Sequence, residues 1–364
     1  MLKQQKIFFD FLRFCIGSVK EISDSLKEVD WKELYRIAQK QCLVGILFDG
    51  IQKLPAEHVG MEKELLLHWM AESQMLEKAN ARLNVAAIQV SEWFRKKGFR
   101  TCILKGQGNA LMYPNPYSRT PGDIDIWVEG GDKRVISFVR SISPNEKACY
   151  HHIDFPSYKG VEVEVHYRPS FLLCFWHNRK LQKYYERVKK EQFSHRVMLG
   201  EQGEVAIPTA EFNLIFQLTH IYAHLMNEGI GLRQLLDYYY VLISDDLLLI
   251  RDRVQKELKH LGLWKFAQAV MFVMKEVFGL TEDRMIAPMD EKEGRFLLDE
   301  IMRGGNFGQF DDRMGGKVDE SKIHRYFRMN LRNLRFVRHY PTEAVCEPVF
   351  RTWFAGWKFI NRIK

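Results

Sequence analysis

Two short segments in the middle of the chain alternate polar and apolar residues with a period of two. Residues 123–128 read DIDIWV, and residues 161–166 read VEVEVH. Because side chains two positions apart in a β-strand point to the same face, each segment predicts a strand with one polar and one apolar face. Two such strands among segments of helical periodicity restrict the chain to a small sheet within a mostly helical protein.

The remaining sequence divides into parts around these strands. An Asp30-Trp-Lys-Glu33 capping box predicts a helix through about Gln52, which Pro55 ends. The predicted fold class is α+β, in which a small mixed sheet is flanked by an N-terminal helical segment and a C-terminal helical domain. The expected parts are an N-terminal helical segment (1–97), an α/β core with a terminal hairpin (98–207), a helical domain (208–302), and a glycine-rich loop followed by basic helices (303–364).

Composition excludes several classes of protein. In 364 residues, 11 Pro and 24 Gly are too few for a collagen-like or low-complexity chain, and 25 Phe and 8 Trp are too many for a disordered one. The six cysteines stand singly, which excludes a disulfide scaffold and gives no local spacing for a four-cysteine zinc site. No stretch approaches the roughly 18 apolar residues of a membrane span. We therefore expect a cytoplasmic protein without a transmembrane segment.

The net charge of +8 is concentrated at the C-terminus. From Lys322 onward there are ten Lys and Arg against two acids, a balance of +8, so the preceding residues are neutral overall. A helical stripe of four arginines in this part suits RNA, an anionic membrane surface or a polyanionic acceptor. The simpler interpretation, a solvated face paired with acids of the helical domains, is favoured. The stripe consists of Arg325, Arg328, Arg332 and Arg335.

Asp123 and Asp125 are the strongest candidates for chemistry. On one strand face their carboxylates repel each other, an arrangement that suits a hard divalent cation with oxygen ligands and a triphosphate. The second strand carries Glu162 and Glu164 on one face, and either could supply a third carboxylate. A solvated strand face is the alternative for all of them.

These residues form part of a longer pattern that resembles a known superfamily. The chain resembles the DNA polymerase β-type nucleotidyltransferase superfamily. More narrowly, it resembles a largely uncharacterised bacterial nucleotidyltransferase family with the pattern LKG…R…DIDLLV…IELHW. The resemblance covers about residues 30–245. The matching motifs are LKG at 104–106, Arg119, GDIDI at 122–126, EVHYR at 164–168, and the helical segments 209–225 and 232–240.

The resemblance implies Mg²⁺ (or Mn²⁺) and an NTP as nucleotidyl donor. Asp123 and Asp125 would ligate the metal, and Glu164 would be the third ligand or the base for the attacking oxygen. Gln107 stands where the superfamily usually has Ser, which leaves the role of this position open. The implied donor-binding residues are Lys105, Gly106, Arg119 and Gly122.

The phosphate-binding roles have alternatives. Lys105 and Gly106 close a strand and open a helix, where a phosphate can meet backbone N–H groups and a cation. Arg119 offers a planar fork to a triphosphate, or it pairs with an acidic cluster and offsets its repulsion. His166 could position a nucleotide or the third carboxylate, or it is a hydrogen-bonded strand residue.

Other residues carry weaker signals. His220 and His224 lie one helical turn apart, a spacing that can bind zinc, but no third ligand is near in sequence, so buried packing histidines are favoured. Asp237 is expected to be their partner or a helix-packing residue.

The resemblance names no acceptor: a small molecule, a sugar-like compound and a protein are the candidates, and nucleic acid is less favoured. The rival function is a catalytically silent module that keeps the fold and binds RNA or a protein partner through the basic C-terminus.

Overall fold

The structure, a computed structural model, describes residues 3–55, 58–311, 313 and 322–360. It confirms the α+β class: helices dominate and flank a small mixed sheet of four strands. The strands are β1 (Thr101–Ile103), β2 (Ile124–Val128), β3 (His152–Tyr158) and β4 (Val161–His166) in the sheet, and β5 (Arg196–Met198) and β6 (Glu204–Ala206) in the predicted hairpin.

The helices cover most of the remaining chain. They are α1 (Lys3–Cys15), α2 (Trp31–Gln41), α3 (Val44–Ile51), α4 (Lys63–Lys96), α5 (Gln107–Ala110), α6 (Gly131–Ile142), α7 (Phe175–Gln192), α8 (Ala210–Asn227), α9 (Leu232–Leu242), α10 (Leu247–His260), α11 (Trp264–Phe278), α12 (Glu291–Gly304), α13 (Lys322–Val337) and α14 (Pro341–Ile360). Within the described residues, no helix combines the length and apolar character needed to cross a membrane.

The strand order in the sheet is β1-β2-β4-β3. The central strands β2 and β4 are parallel, and each edge strand is antiparallel to its neighbour. In this register Asp125 lies beside Glu164, and Ile126 lies beside Val165. Neighbours in register point to the same face, so the polar residues of both central strands share one side of the sheet.

The apolar face of the sheet packs on the C-terminal half of α4 and on α6. Ile124, Ile126 and Val128 contribute to this core, as the alternating pattern predicts. Aromatic rings fill the space between sheet and helices, with centroids 4.6–6.3 Å apart. These rings belong to Phe94, Phe99, Phe138 and Phe155.

The opposite face of the sheet turns toward the helical domain. Trp127 closes one end of this face by packing on Phe193 and Phe212, with ring centroids 4.7 and 5.8 Å away. Asp125, two residues earlier on β2, is buried on the same face, with 4% of its surface exposed. A buried carboxylate is expensive unless it is paired, so this face requires compensating charges.

The predicted helix from residue 30 to 52 is wrong in one respect, because the chain forms two helices there. Asp30 caps α2 as expected, accepting hydrogen bonds from the N–H groups of Lys32 and Glu33. Cys42 then adopts a left-handed conformation (φ 56°) and ends α2. The break lets Gly45 approach the loop before β2, where a Cβ would lie 2.3 Å from the Ser118 carbonyl oxygen.

The N-terminal helices and the helical domain share one hydrophobic core. Helix α1 packs against both α3 and α11. The sheet has its own core against α4 and α6. The four-part division of the chain stays a prediction.

The arginine stripe is not a free cationic surface. Arg332 is buried and donates to the carbonyls of Leu225 and Met226 near the end of α8. Arg335 lies 3.5 Å from carboxylate oxygens of both Glu300 and Asp311. The interpretation of pairing with acids of the helical part is therefore confirmed for Arg335. Residues 312 and 314–321 of the glycine-rich loop, and the side chain of Arg325, lie outside the described residues.

Asn80 of α4 fixes the loop that leads into β2. Its amide nitrogen donates to the carbonyl oxygens of Tyr117 and Arg119, each 2.7 Å away. The Asn80 side chain is buried, with 1% exposed. Buried carbonyl groups need hydrogen-bond donors, and the Asn80 amide supplies the bonds that a neighbouring strand or helical turn would otherwise provide to these two carbonyls.

We expect Asn80→Leu to lower the free energy of unfolding by about 2–4 kcal/mol, because two buried loop carbonyls lose their donor. Urea denaturation followed by circular dichroism measures the change. Gln74→Leu, at an exposed position of the same helix, is the matched control and should stay within about 0.5 kcal/mol of the parent protein. Equal effects of the two substitutions would contradict the role of Asn80.

Candidate active site

A cavity of about 470 Å³ lies between the polar face of the sheet and helices α8 and α9. All seven residues predicted from the sequence to bind the metal or the donor line it. They are Lys105, Gly106, Arg119, Gly122, Asp123, Asp125 and Glu164. Pockets with converging polar groups are the usual place for a ligand.

Three carboxylates meet on one wall of the cavity. Asp123 immediately precedes β2, Asp125 lies within it, and Glu164 lies beside Asp125 on β4. One oxygen from each lies within 4.8 Å of the others. This grouping follows from the parallel register of the two central strands.

Glu162, the other candidate for the third carboxylate, lies apart from this group. It is exposed and borders a neighbouring groove with Lys159 and Gly160. The groove reaches Asp123, but Glu162 does not line the cavity itself. Glu164 is therefore the carboxylate that the structure brings to the aspartate pair.

Two cationic side chains offset the carboxylates. Lys105 Nζ and His166 Nε2 each lie 2.9 Å from Asp125 Oδ1. His166 Nε2 is also 3.4 Å from Glu164 Oε2, so its ring bridges β2 and β4. Burial alone would lower the pKa of His166, but its hydrogen bonds to Asp125 and Glu164 raise that pKa to about 9.

The carboxylates respond differently to these surroundings. Burial opposes ionisation of Asp125, yet Lys105 and His166 hold its pKa well below the usual value. The charge on Asp125, together with burial, raises the pKa of Asp123 to about 6. Asp123 is thus the carboxylate with the least local compensation. A divalent cation would supply what is missing, and a set of carboxylate oxygens is the donor type that Mg²⁺ and Mn²⁺ prefer.

The Lys105-Gly106 segment forms one edge of the cavity. Besides Asp125, Lys105 Nζ contacts His220 Nε2 of α8 at 3.0 Å. Gly106 has φ 56° and ψ −108°, a conformation that favours glycine, and lies close to the Asp123 backbone. The helix that follows has only four residues. Gln107 is buried and donates to Asn84 of α4, pointing away from the cavity.

Arg119 is engaged by a residue of α9. Its Nε and Nη2 donate to the two carboxylate oxygens of Asp237, each at 2.8 Å. Tyr113 also donates to Asp237, at 2.6 Å. Both charged groups are almost completely buried. Arg119 therefore faces the cavity as half of a bidentate ion pair, and Asp237 is its partner rather than a partner of the histidines.

Arg233 was not predicted from the sequence. It lies one helical turn before Asp237 on α9, and its Nη1 donates to the backbone oxygens of Thr120 and Pro121, at 3.2 and 3.3 Å. Among the described residues its Nε has no hydrogen-bond partner. Burial and the nearby Arg119 lower the pKa of Arg233. The sequence signal for Arg233 is its position four residues before Asp237, within the segment 232–240 that resembles the nucleotidyltransferase family.

Aromatic and imidazole groups complete the cavity. Phe307 lies in the left-handed region (φ 51°), unusual for a non-glycine residue, and its ring is 5.2 Å from that of His224 and 5.8 Å from the Arg233 guanidinium. Burial, with Lys105 nearby, lowers the pKa of His220, so this ring is neutral at neutral pH. In the described part of the chain, neither His220 nor His224 belongs to a group of three or more potential metal ligands.

We expect Asp237→Asn to lower the free energy of unfolding by about 3–5 kcal/mol, because it leaves the Arg119 guanidinium buried without a counter-charge. Urea denaturation measures the effect. Asp283→Asn, whose side chain is 68% exposed, is the control. The double variant Arg119→Met/Asp237→Leu should be less destabilised than Asp237→Asn. Similar stability of Asp237→Asn and the control would refute the buried pair.

Comparisons with known proteins identify the family. No curated protein sequence matches the chain. A crystal structure of an antigenic nucleotidyltransferase-like protein from Paracoccidioides brasiliensis is similar over 49% of this chain and 91% of that chain, at 15% identity with a TM-score of 0.29, too low to support an inference about fold or activity. The model of the family described as "Uncharacterised nucleotidyltransferase" matches residues 27–279, well over half of the chain, and includes every residue of the carboxylate cluster. The chain belongs to this nucleotidyltransferase family.

Proposed function

We propose that this protein is a divalent-cation-dependent nucleotidyltransferase that transfers a nucleoside monophosphate from an NTP to an acceptor hydroxyl or phosphate. The observation that carries the proposal is the meeting of Asp123, Asp125 and Glu164 on one wall of a cavity, with ligand oxygens within 4.8 Å of one another. Family membership supports the same reaction class. In this reaction a bond forms between the acceptor oxygen and the α-phosphorus, the bond to the β-phosphate oxygen breaks, and pyrophosphate leaves.

Asp123, Asp125 and Glu164 would hold Mg²⁺ or Mn²⁺. A bound ion of this kind would offset the negative charge of the phosphoryl oxygens and lower the pKa of the attacking hydroxyl. The protein's own contribution is to fix the ligands. His166 bridges Asp125 and Glu164 at 2.9 and 3.4 Å, which orients both carboxylates before any ligand arrives. We assign the role of proton acceptor for the attacking hydroxyl to Glu164, which lies within β4.

Arg233 is the guanidinium best placed for the phosphates of the donor. Arg119 donates from Nε and Nη2 to the carboxylate of Asp237. By contrast, no carboxylate of the described residues forms an ion pair with Arg233, whose pKa is lowered by burial. Gly122 lies against it, since a Cβ there would be 3.6 Å from Arg233 Nη1, next to Asp123 in the chain. Arg119 thus positions the loop before β2. Lys105 and Arg233 contribute positive charge to the lining of the cavity that holds the carboxylates.

Helix α8 contributes a wall of the cavity that bears imidazole and amide groups, namely Gln217, His220 and His224. Such a wall suits a small molecule or sugar-like acceptor, and a protein hydroxyl is also compatible with it. The rival proposal, a silent module that binds RNA through the C-terminus, has less support, because Arg332 is buried on backbone carbonyls and Arg335 is paired with acids.

We expect wild-type protein to bind at least one of the four NTPs in the presence of Mg²⁺, and Asp123→Asn/Asp125→Asn to lose this binding because the metal ligands are gone. Isothermal titration calorimetry with each NTP, with and without Mg²⁺, measures it. Metal-dependent binding would also name the donor. Metal-independent binding of equal strength in both proteins would refute the proposal.

Glu164→Gln and Glu162→Gln form a matched pair on one strand. We expect Glu164→Gln to weaken Mg²⁺-dependent NTP binding at least tenfold, whereas Glu162→Gln, on an exposed position outside the cavity, stays near wild type. The same calorimetric titration compares them. The reverse order would assign the third carboxylate to Glu162.

Arg233→Ala should weaken NTP binding roughly tenfold to a hundredfold, the equivalent of about 1.5–3 kcal/mol for a charge-assisted hydrogen bond. Arg233→Lys should recover part of the affinity because it keeps the charge. Arg295→Ala is the control, since its side chain is 68% exposed and paired with Glu291. Unchanged NTP affinity in Arg233→Ala, with thermal stability preserved, would exclude this residue from donor binding.

A further inference from the structure

A second cluster of metal-ligating side chains lies away from the carboxylates, where α14 meets the start of α7. Cys174 immediately precedes α7, His177 lies in its first turn, and Glu343 and Cys346 come from the first turns of α14. Glu343 and Cys346 are three positions apart within α14, which places both on one helix face. The starts of two helices therefore present two candidate ligands each toward a common point.

The contacts within this cluster are close. One ligand atom from each of Cys174, His177 and Glu343 lies within 4.8 Å of the others. Cys346 lies near this group, since the thiols of Cys174 and Cys346 each influence the pKa of the other. His177 Nδ1 is 3.4 Å from Glu343 Oε1. A tetrahedral zinc shell requires ligand atoms about 3.3–3.8 Å apart, so the three grouped side chains must draw closer to close one, and the Cys346 thiol must turn toward them.

Glu343 has a structural role that leaves one oxygen available. Its Oε2 accepts hydrogen bonds from the backbone N–H groups of Leu173 and Cys174, at 2.7 and 3.1 Å. Its Oε1 faces His177 instead. The side chain is only 4% exposed, so the carboxylate is buried between a helix N-terminus and an imidazole. Backbone hydrogen bonds of this kind fix a ligating carboxylate in place.

His177 occupies space that a glycine leaves open. A Cβ at Gly262 would lie 2.4 Å from the His177 ring, so a larger residue there would displace the imidazole. Cys174 is fully buried, while His177 keeps 18% of its side chain exposed. An ion could therefore reach the cluster from the His177 side and be enclosed on the other.

We propose that Cys174, His177, Glu343 and Cys346 form a closed site for a borderline-soft divalent cation of the Zn²⁺ class. Two thiolates, an imidazole and a carboxylate are a ligand set that suits Zn²⁺ and is unsuited to Mg²⁺. With four protein ligands the site has no open position, so it is structural. It joins α14 to residues 172–174, which directly follow two cavity residues, Ser170 and Phe171.

Cobalt spectroscopy of the full chain tests the site. Protein freed of metal with a chelator is titrated with Co²⁺, which replaces Zn²⁺ and reports its ligands. We expect one tetrahedral Co²⁺ per chain, besides any Co²⁺ at the carboxylates, with a thiolate-to-cobalt charge-transfer band that Zn²⁺ bleaches and Mg²⁺ does not. Cys174→Ser/Cys346→Ser should lose the charge-transfer band, and its affinity should fall by more than the roughly 10–100-fold that loss of an outer-shell partner costs.

Matched variants separate this site from other cysteines and from the carboxylate cavity. Cys42→Ser and Asp123→Asn should keep the cobalt spectrum, so a failure of the proposed nucleotidyl transfer would leave this result unaffected. Because the double variant could fold poorly, Cys346→Ser alone is included, and it should lose about half of the charge-transfer intensity. Zn²⁺ should raise the melting temperature of wild type by more than that of Cys346→Ser, because the variant binds the ion with one ligand fewer.

Three outcomes would overturn the proposal. One is the absence of a thiolate band in wild type. Another is a band that survives in Cys174→Ser/Cys346→Ser but disappears in Cys149→Ser, which would move the site to Cys149 and its neighbours His151 and His152. The third is a disulfide between Cys174 and Cys346 in protein purified without reductant, detected by mass spectrometry and persisting after zinc addition.

Discussion

The parallel pairing of β2 with β4 is the constraint on which the rest of this structure depends. Its register sets Asp125 beside Glu164 on a buried face, with Asp123 just before the strand. Like charges this close destabilise the folded chain unless other groups offset them. Lys105 from the end of β1 and His166 from β4 supply that compensation, and both are fixed by the same sheet.

The helical domain completes what the sheet begins. The loop between α5 and β2 has little regular structure, yet its position decides where Asp123 stands. Asn80 holds it from the side of α4, and the Arg119–Asp237 pair holds it from the side of α9. Both sets of contacts are buried, so helices α4 and α9 together fix the position of the loop. The geometry of the carboxylate wall is therefore a property of the whole fold rather than of the sheet alone.

Local patterns predicted the parts of the fold that local physics decides. The alternation of 161–166 predicted β4 to the residue, and the spacing of Asp123 and Asp125 predicted a shared orientation. The choice between Glu162 and Glu164 was open, because residues two apart on a strand share a face and only the register with β2 separates them. The left-handed turn at Cys42 depends on how closely Gly45 meets Ser118, a contact between distant parts of the chain.

Partners of charged residues were the least predictable feature. Arg119 and Asp237 are 118 positions apart, and nothing in either segment indicates the other. Arg332 belonged to a stripe that looked solvent-facing, yet it reaches backbone carbonyls at the end of α8. Arg233 lies in a largely apolar helix that has one other charged residue, Asp237, and no motif marks it. In each case the decisive contact is tertiary, which periodicity does not encode.

The packing of α1 against α11 has a consequence for how the chain is made. The apolar face of α1 includes Phe8, Phe9 and Leu12, and its partner helix lies some 250 positions later in the chain. During synthesis from the N-terminus, the strands that carry the carboxylates emerge long before α11 does. The first helix can pack on α3 early, but the part of its apolar face that contacts α11 stays uncovered while the sheet already has all its strands. Contacts of this sequence separation slow folding and leave apolar surface open to aggregation.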